Sequence, residues 1–208
     1  MKLLILGATG GTGLETVRQA IERGHEVTAF ARSPHKLEEF SERATVIAGD
    51  LMNVGELAQV MAGQDAAISS FGRRNPKSGA ESELLQSFAV VLTGAMRQAK
   101  VRRLIAVSMA FLFRDAMIPP AYLVGRLFFG NLVRDAIRME DVIQRSGLDW
   151  TIVRPPRLND KAHTGKYRVR EGHLPRFGFK ISRADVADYT IRVAEDGSAV
   201  GKIVGICD

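Results

Sequence analysis

The sequence predicts an α/β protein in which helices cover both faces of a doubly wound parallel sheet, a three-layer α/β/α arrangement. Short apolar runs typical of buried strands alternate with amphipathic segments of helical period along the whole chain. A glycine-rich turn separates the first apolar run from the first helical segment. The 208 residues show no change in composition that would mark a linker, so residues 1–208 are expected to form one domain.

The first half of the chain contains four predicted strands, each followed by a helix. The first apolar run is too short for a helix and stops at Gly7, so it is predicted to be a buried strand. Gly24 is the expected stop of the first helix, while Ser33 and Asn53 are the expected N-caps of the next two. In order, the elements are strand 2–6, helix 12–23, strand 25–31, helix 34–40, strand 45–48, helix 53–61, strand 66–70 and helix 81–99.

The second half continues the alternation with one interruption. Gly147 closes an amphipathic helix, and a buried strand follows it. Residues 158–182 show neither period and are predicted to form an irregular appendage. The remaining predicted elements are strand 103–108, helix 131–146, strand 150–154, helix 183–194 and strand 202–206.

Cysteine and histidine usage limits the possible sites. The single cysteine, Cys207, excludes an internal disulfide framework and a cysteine-cluster zinc site, and it fits a reducing, cytoplasmic compartment. No metal site is predicted, because the histidines lack ligand spacing. No secretory signal is recognised, and no uncharged run reaches ~18 residues, so no transmembrane segment is expected.

The net charge of +6 allows anionic partners without identifying them. Nine of the basic residues and only two acidic ones lie in residues 151–183. An anionic small molecule would suit this local charge, but a solvated basic loop is the alternative. No nucleic-acid recognition motif accompanies it, so nucleic acid is not an expected partner.

The glycines at Gly7, Gly10 and Gly13 follow the pattern G-x-x-G-x-x-G between the first strand and the first helix. Such a turn lets the backbone approach a pyrophosphate without an intervening Cβ, and the helix N-terminus offers free N–H groups to the phosphates. The context of strand, turn and helix therefore predicts a dinucleotide site. The alternative is a turn that no longer binds a cofactor. The predicted contacts are Gly7, Thr9, Gly10, Gly11, Thr12 and Gly13.

The end of the second strand indicates which dinucleotide binds. A carboxylate there would hydrogen-bond the ribose of NAD, but this strand ends in Ala31-Arg32-Ser33. Arg32, with Ser33 beside it, could hold the 2′-phosphate of NADP(H), which is therefore favoured over NAD(H). A solvated surface arginine is the alternative.

Two further strand ends supply candidate cofactor contacts. Asp50, followed by Leu51, could accept a hydrogen bond from the adenine amino group or cap the next helix. At the end of the fourth strand, Phe71 and Gly72 would let the backbone pass near the ribose. Arg74 lies within reach of phosphate, or else in a solvated loop.

These residues together resemble the atypical short-chain dehydrogenase/reductases, in particular the branch of biliverdin-IXβ reductase, or flavin reductase. The resemblance implies a Rossmann-like domain that binds NADP(H) and transfers hydride to a flat conjugated acceptor, such as a flavin, a linear tetrapyrrole or a quinone-like molecule. The appendage would then lie on the substrate side. The more specific matches are Ala110-Phe111-Leu112, Ile137-Arg138-Met139, Pro155-Pro156 and Thr164-Gly165-Lys166-Tyr167.

The substrate half departs from that branch. Met109 stands where a serine is expected, although Ser108 precedes it, and Arg157 stands where a histidine is expected. Ser108 is the candidate hydroxyl that faces nicotinamide or substrate, with a strand-end hydrogen bond as the alternative. Pro155 resembles a backbone-carbonyl contact to the nicotinamide, and Arg157 would point toward the substrate.

A tyrosine-based catalytic site is the weaker hypothesis. Tyr122 and Arg126 stand at i and i+4, as do the tyrosine and lysine of carbonyl-reducing short-chain dehydrogenases. Arginine replaces that lysine poorly, so a surface helix is the alternative. The apolar residues 116–133 could be core, a dimer surface or a membrane-surface patch.

The sequence therefore predicts an NADPH-dependent oxidoreductase acting on a small conjugated acceptor, as a monomer or homodimer. A non-catalytic NADP(H)-binding sensor or regulatory protein is the alternative. A nucleotide-sugar epimerase or dehydratase is the third hypothesis, but the chain looks too short for the substrate domain of such enzymes.

Overall fold

Parallel strands dominate the structure, which is a computed structural model describing residues 1–72, 83–113 and 119–208, with the side chains of residues 119–129 left out. In these ranges one sheet has eight strands in the order β3-β2-β1-β4-β5-β6-β10-β8, in which only β8 runs antiparallel to its neighbour. Its strands are β1 (Lys2–Leu6), β2 (Glu26–Ala31), β3 (Thr45–Ala48), β4 (Ala66–Ser69), β5 (Arg103–Val107), β6 (Asp149–Arg154), β8 (Arg168–Glu171) and β10 (Lys202–Cys207). A separate parallel pair joins β7 (Arg157–Asn159) to β9 (Lys180–Ser182).

The helices form two layers, as the alternation predicted. One face of the sheet carries α1 and α5, which pack against each other, and the other carries α2, α3 and α4. A separate buried apolar cluster lies on each face, because the central strands are apolar on both sides. The predicted Rossmann-like three-layer fold is confirmed. The helices are α1 (Gly11–Glu22), α2 (Val54–Met61), α3 (Leu84–Ala99), α4 (Pro119–Gln144) and α5 (Arg183–Asp196).

Two helix predictions need correction. The helix predicted to start at residue 131 begins at Pro119, because proline is tolerated in a first helical turn and Gly130 does not end the helix. Ser33 was expected to be an N-cap, but its side chain makes no capping hydrogen bond to the 3-10 helix Pro34–Phe40. Asn53 does cap α2, since its Oδ1 accepts from the N–H groups of Gly55 and Glu56.

Residues 158–182, predicted to be irregular, contain the strands β8 and β9 and the end of β7. Strand β8 has no apolar alternation, since it is an exposed edge strand held by backbone pairing to β10. Hydrogen bonds to two buried carboxylates of α5 hold this segment in place. Asp185 accepts from the backbone N–H groups of Thr164 and Gly165, and Asp188 accepts from the Tyr167 hydroxyl. No helix in the described part of the chain is long and apolar enough to cross a membrane.

Candidate functional site

The turn after β1 has the close approaches that its glycines predict. Gly7 has a φ of +74°, and a Cβ on it would lie 2.8 Å from the backbone of Ser70 at the end of β4. A Cβ on Gly13 would lie 2.2 Å from the carbonyl oxygen of Gly7. Gly13 thus lets α1 pack against the end of β1, and it does so without lining the adjacent cavity. The turn closes with a hydrogen bond of 3.0 Å from the N–H of Gly10 to that oxygen.

A cavity of about 560 Å³ opens over this turn, between the carboxyl ends of β1, β2 and β4. Its volume falls within the range of small-molecule and cofactor sites. The strand order reverses between β1 and β4, the place where open α/β sheets bind ligands. Ten residues singled out in the sequence line it, namely Gly7, Thr9, Gly10, Gly11, Thr12, Arg32, Ser33, Leu51, Phe71 and Gly72. Further lining residues are Phe30, Ala31, Ser70, Leu84 and Arg183.

The start of α1 faces this cavity. Gly10 occupies the N-cap position, and no described side chain caps the helix or places an acid in its first turn. The first N–H groups of the helix are therefore available to a ligand, and the helix dipole favours an anion there. Together with the cavity above, this geometry fits the phosphates of a dinucleotide.

Arg32 and Ser33 lie at the cavity wall beyond β2. Arg32 is exposed and forms no ion pair or hydrogen bond with the described residues. Its guanidinium is thus free to bind a phosphate group in the cavity. Arg32 and Ser33 thus line the same cavity as the glycine turn.

Asp50 does not line the cavity. Its Oδ1 accepts from the N–H of Met52, and its own N–H donates to Glu56 Oε2 at 2.9 Å. The Asp50 side chain therefore stabilises the turn before α2, whereas the alternative predicted for it, capping of that helix, is the role of Asn53. The neighbouring Leu51 contributes the cavity wall instead.

A second cavity of about 210 Å³ adjoins the first, and Phe71 and Gly72 line both. The ring of Phe71 packs against Phe88 of α3 with the centroids 4.2 Å apart, which fixes the partition between the cavities. The other described lining residues come from the end of β5 and the two residues after it, from α3 and from α4, and none of them carries a charge. They are Leu85, Val107, Ser108, Met109, Leu132, Ala136 and Met139.

Ser108 is the one hydroxyl among the described residues lining the second cavity. Its Oγ is buried and has no hydrogen-bond partner among the described residues, so the alternative role of a strand-end hydrogen bond is absent there. The Ser70 Oγ, at the wall of the first cavity, is buried and unpaired in the same sense. A buried unpaired hydroxyl costs about 1–3 kcal/mol, so both atoms are suited to bind a ligand.

The remaining predicted site residues lie away from both cavities or outside the description. The buried Pro155 uses its carbonyl to accept from the N–H of Ala110 at 2.8 Å, and it lines neither cavity. Arg157 is exposed at the start of β7 and also lines neither. Arg74 lies outside the described residues, as do the side chains of Tyr122 and Arg126.

Several basic residues of the 151–183 segment are already engaged. Arg154 is half-buried, donates through Nε to the buried Glu140 Oε1 at 3.0 Å and stacks over Phe113. Arg168 donates to the carbonyl oxygens of Arg176 and Asp208. These charges stabilise the fold and do not face either cavity.

Arg183 is the residue that sequence reasoning missed at the first cavity. It begins α5, far along the chain from the glycine turn, and no motif marks it. The buried Asp185 holds the loop before it. Although burial alone would raise the pKa of that carboxyl, hydrogen bonds from Thr164, Ser182 and Gly165 bring it below its usual range.

Comparisons with known proteins agree with this geometry. A sequence model of the NAD(P)H-binding family matches residues 7–197. The uncharacterised Bacillus subtilis protein YwnB is 26% identical over 205 residues, covering 94% of this chain and 92% of the relative.

Two solved structures share the fold over 100% of this chain. A short-chain dehydrogenase/reductase from Veillonella parvula, in complex with NADP, has a TM-score of 0.82 at 20% identity and is covered over 94% of its length. A Streptococcus pneumoniae protein assigned as an NADH-flavin reductase has a TM-score of 0.80 at 24% identity and is covered over 99%.

Proposed function

The chain belongs to the NAD(P)H-binding family, and we propose that it is an oxidoreductase that transfers hydride from NADPH to a small conjugated acceptor. The observation that carries the proposal is the pair of adjoining cavities that meet at Phe71 and Gly72. One has the volume and the uncapped helix end that a dinucleotide needs. The other is apolar and holds a buried unpaired hydroxyl, which suits an acceptor beside the nicotinamide. The NADP held by one structural neighbour and the flavin reductase assignment of another support it.

When bound, NADPH supplies a hydride, which carries two electrons and one proton to the acceptor. The protein's own part is to orient the two reactants, and the second proton of a two-electron reduction comes from water. The glycine turn and the start of α1 bind the pyrophosphate, and Arg32 with Ser33 binds the 2′-phosphate. Ser108 donates a hydrogen bond to the acceptor atom on which negative charge develops.

The acceptor class follows from the second cavity. Its described lining is apolar and uncharged, so the reacting part of the acceptor is a neutral ring system, as in a flavin or a quinone-like molecule. A phosphate on the acceptor would have to reach the basic residues outside that cavity. In this proposal residues 1–208 work as one domain, with residues 158–182 on the acceptor side.

The first experiment tests the cofactor. NADPH and NADH are titrated by nicotinamide fluorescence against the protein, Arg32→Ala and the control Arg97→Ala, which removes an exposed arginine near the far end of α3. We expect Arg32→Ala to weaken NADPH binding about tenfold or more, the scale of a charge-assisted hydrogen bond, and to leave NADH binding unchanged. An equal change for both dinucleotides would show that Arg32 does not hold the 2′-phosphate.

The second experiment tests turnover. Loss of nicotinamide absorbance is followed with flavin mononucleotide, riboflavin and simple quinones, using Ser108→Ala and the control Ser87→Ala, an exposed serine of α3. We expect Ser108→Ala to lower kcat about 10- to 100-fold without changing NADPH affinity. Equal rates with flavin mononucleotide and riboflavin would show that the acceptor phosphate contributes nothing. Tight NADPH binding without turnover on any acceptor would refute the oxidoreductase and favour a non-catalytic NADP(H)-binding protein.

A further inference from the structure

Arg183 reaches the glycine turn from the opposite end of the sequence. Helices α1 and α5 pack side by side and both begin at the carboxyl edge of the sheet, so their first turns are neighbours. The side chain of Arg183 lies against the start of α1, where its Cδ and Nε would be 2.7 and 2.8 Å from a Cβ on Gly11. A Cβ at position 11 would therefore displace the Arg183 side chain from this position.

The guanidinium of Arg183 makes one exposed ion pair among the described residues. Its Nη1 donates to Asp160 Oδ1 at 2.6 Å, and the side chains of the two residues are 30% and 87% exposed. Ion pairs this exposed contribute little to stability. A guanidinium has five N–H donors in a planar fork, so one bond to Asp160 leaves donors for a second anion.

Arg183 also lines the 560 Å³ cavity beside the N–H groups of the first turn of α1. A cation and a helix N-terminus that face the same cavity both favour an anion between them. The pyrophosphate is the part of a dinucleotide that binds at such a turn.

We propose that Arg183 binds the pyrophosphate of the dinucleotide, and that Asp160 is a competing partner that holds the guanidinium while the site is empty. This inference rests on the proposed dinucleotide site and adds a residue that neither the glycine motif nor the second strand indicates. The pyrophosphate and the Asp160 carboxylate take the same donors in turn. Binding of the dinucleotide therefore releases Asp160, which lies in the loop after β7.

Arg183 and Arg32 differ in what they recognise. The pyrophosphate is common to NADPH and NADH, whereas the 2′-phosphate belongs to NADPH alone. Loss of the Arg183 charge therefore weakens both dinucleotides by the same factor, and loss of the Arg32 charge weakens only NADPH. This difference separates a pyrophosphate contact from a general loss of positive charge near the site.

The test measures the Kd of NADPH and NADH by nicotinamide fluorescence for the full chain, Arg183→Gln and the control Arg97→Gln. We expect Arg183→Gln to weaken both dinucleotides about tenfold or more, as for loss of a charge-assisted hydrogen bond, and Arg97→Gln to change neither. An Arg183→Gln variant that binds both dinucleotides like the parent would overturn the inference. If the parent itself binds neither dinucleotide, the proposed function fails first and the two failures are told apart.

Asp160→Asn tests the competition and does not disturb the cavity wall. Removal of the competing carboxylate should tighten binding of both dinucleotides about two- to fivefold, the scale of an exposed ion pair. Glu171→Gln is the matched control, since it removes an exposed carboxylate of the same segment that pairs with Lys202 outside the cavity. Weaker or unchanged binding in Asp160→Asn would overturn the role of Asp160 as a competitor. The thermal unfolding midpoint of each variant confirms that it is folded.

Discussion

Gly13→Ala should destabilise the protein, whereas the same change elsewhere in a helix should stabilise it. A Cβ on Gly13 would lie 2.2 Å from the Gly7 carbonyl oxygen and 2.8 Å from the Cα of Ala8. Both are backbone atoms, so no side-chain rotation relieves the overlap, and α1 must move away from the end of β1. In Gly94→Ala, within α3, the nearest atom is Val54 Cγ2 at 3.7 Å, an ordinary contact.

The magnitudes follow from two opposing effects. Alanine is favoured over glycine in a helix by about 1 kcal/mol, which applies at both positions. Overpacking that shifts the backbone costs about 1–3 kcal/mol, and it applies only at Gly13. We therefore expect Gly94→Ala to gain up to about 1 kcal/mol and Gly13→Ala to lose up to about 2 kcal/mol.

Urea denaturation of both variants and the parent gives these free energies, and each 1 kcal/mol moves the thermal midpoint by about 2–4 °C in a chain of this size. NADPH titration of Gly13→Ala should also show weaker binding, because the displaced helix carries the N–H groups of the site. If Gly13→Ala proves as stable as Gly94→Ala, the close packing of α1 on β1 is not what requires glycine there.

Two further predictions concern buried carboxylates. Glu140→Gln removes the buried carboxylate that pairs with Arg154, so we expect a loss of about 3 kcal/mol in urea denaturation, against under about 1 kcal/mol for the exposed pair broken by Glu171→Gln. Equal losses would contradict the burial argument. The Asp185 carboxyl has a lowered pKa in the folded state, so the stability it contributes is present above its unfolded pKa of about 3.9 and is lost as pH falls through the folded pKa. Urea denaturation should therefore show a stability gap between the parent and Asp185→Asn that is constant near neutral pH and shrinks below about pH 4, and a gap independent of pH would contradict this reasoning.

The fold could be predicted because its signals are local. Each central strand is a short apolar run and each following helix carries its own period, so no distant contact is needed to recognise them. Strand β8 lacked such a signal, since its exposed residues pair through the backbone alone. The sequence does not show the start of α4, because Pro119, Pro120 and Gly130 are residues that commonly end helices, although here they are compatible with a first turn and a long helix.

The candidate site also contains residues that local signals predict and one that they do not. The glycine turn, Arg32 and Ser33 lie directly after strands β1 and β2, so parallel pairing alone brings them to one edge of the sheet. Arg183 follows β9, and its place depends on how α5 packs against α1. The sequence could not show that packing, and the excess of basic residues in 151–183 therefore pointed only to an unspecified anion.

The positions of the basic residues in 151–183 affect which ligand each cavity would favour. Arg154 is neutralised by Glu140, and Arg183 faces the first cavity, so neither adds positive charge to the described wall of the second. The cavity beside Ser108 is instead apolar. In the first cavity, a dinucleotide would meet positive charge at its 2′-phosphate, from Arg32, and at its pyrophosphate, from Arg183. The positively charged first cavity would therefore favour the anionic dinucleotide, and the apolar second cavity would favour a neutral acceptor ring. Direct hydride transfer requires the nicotinamide and the acceptor ring to be in contact, so the two would have to meet where the cavities adjoin, at Phe71 and Gly72.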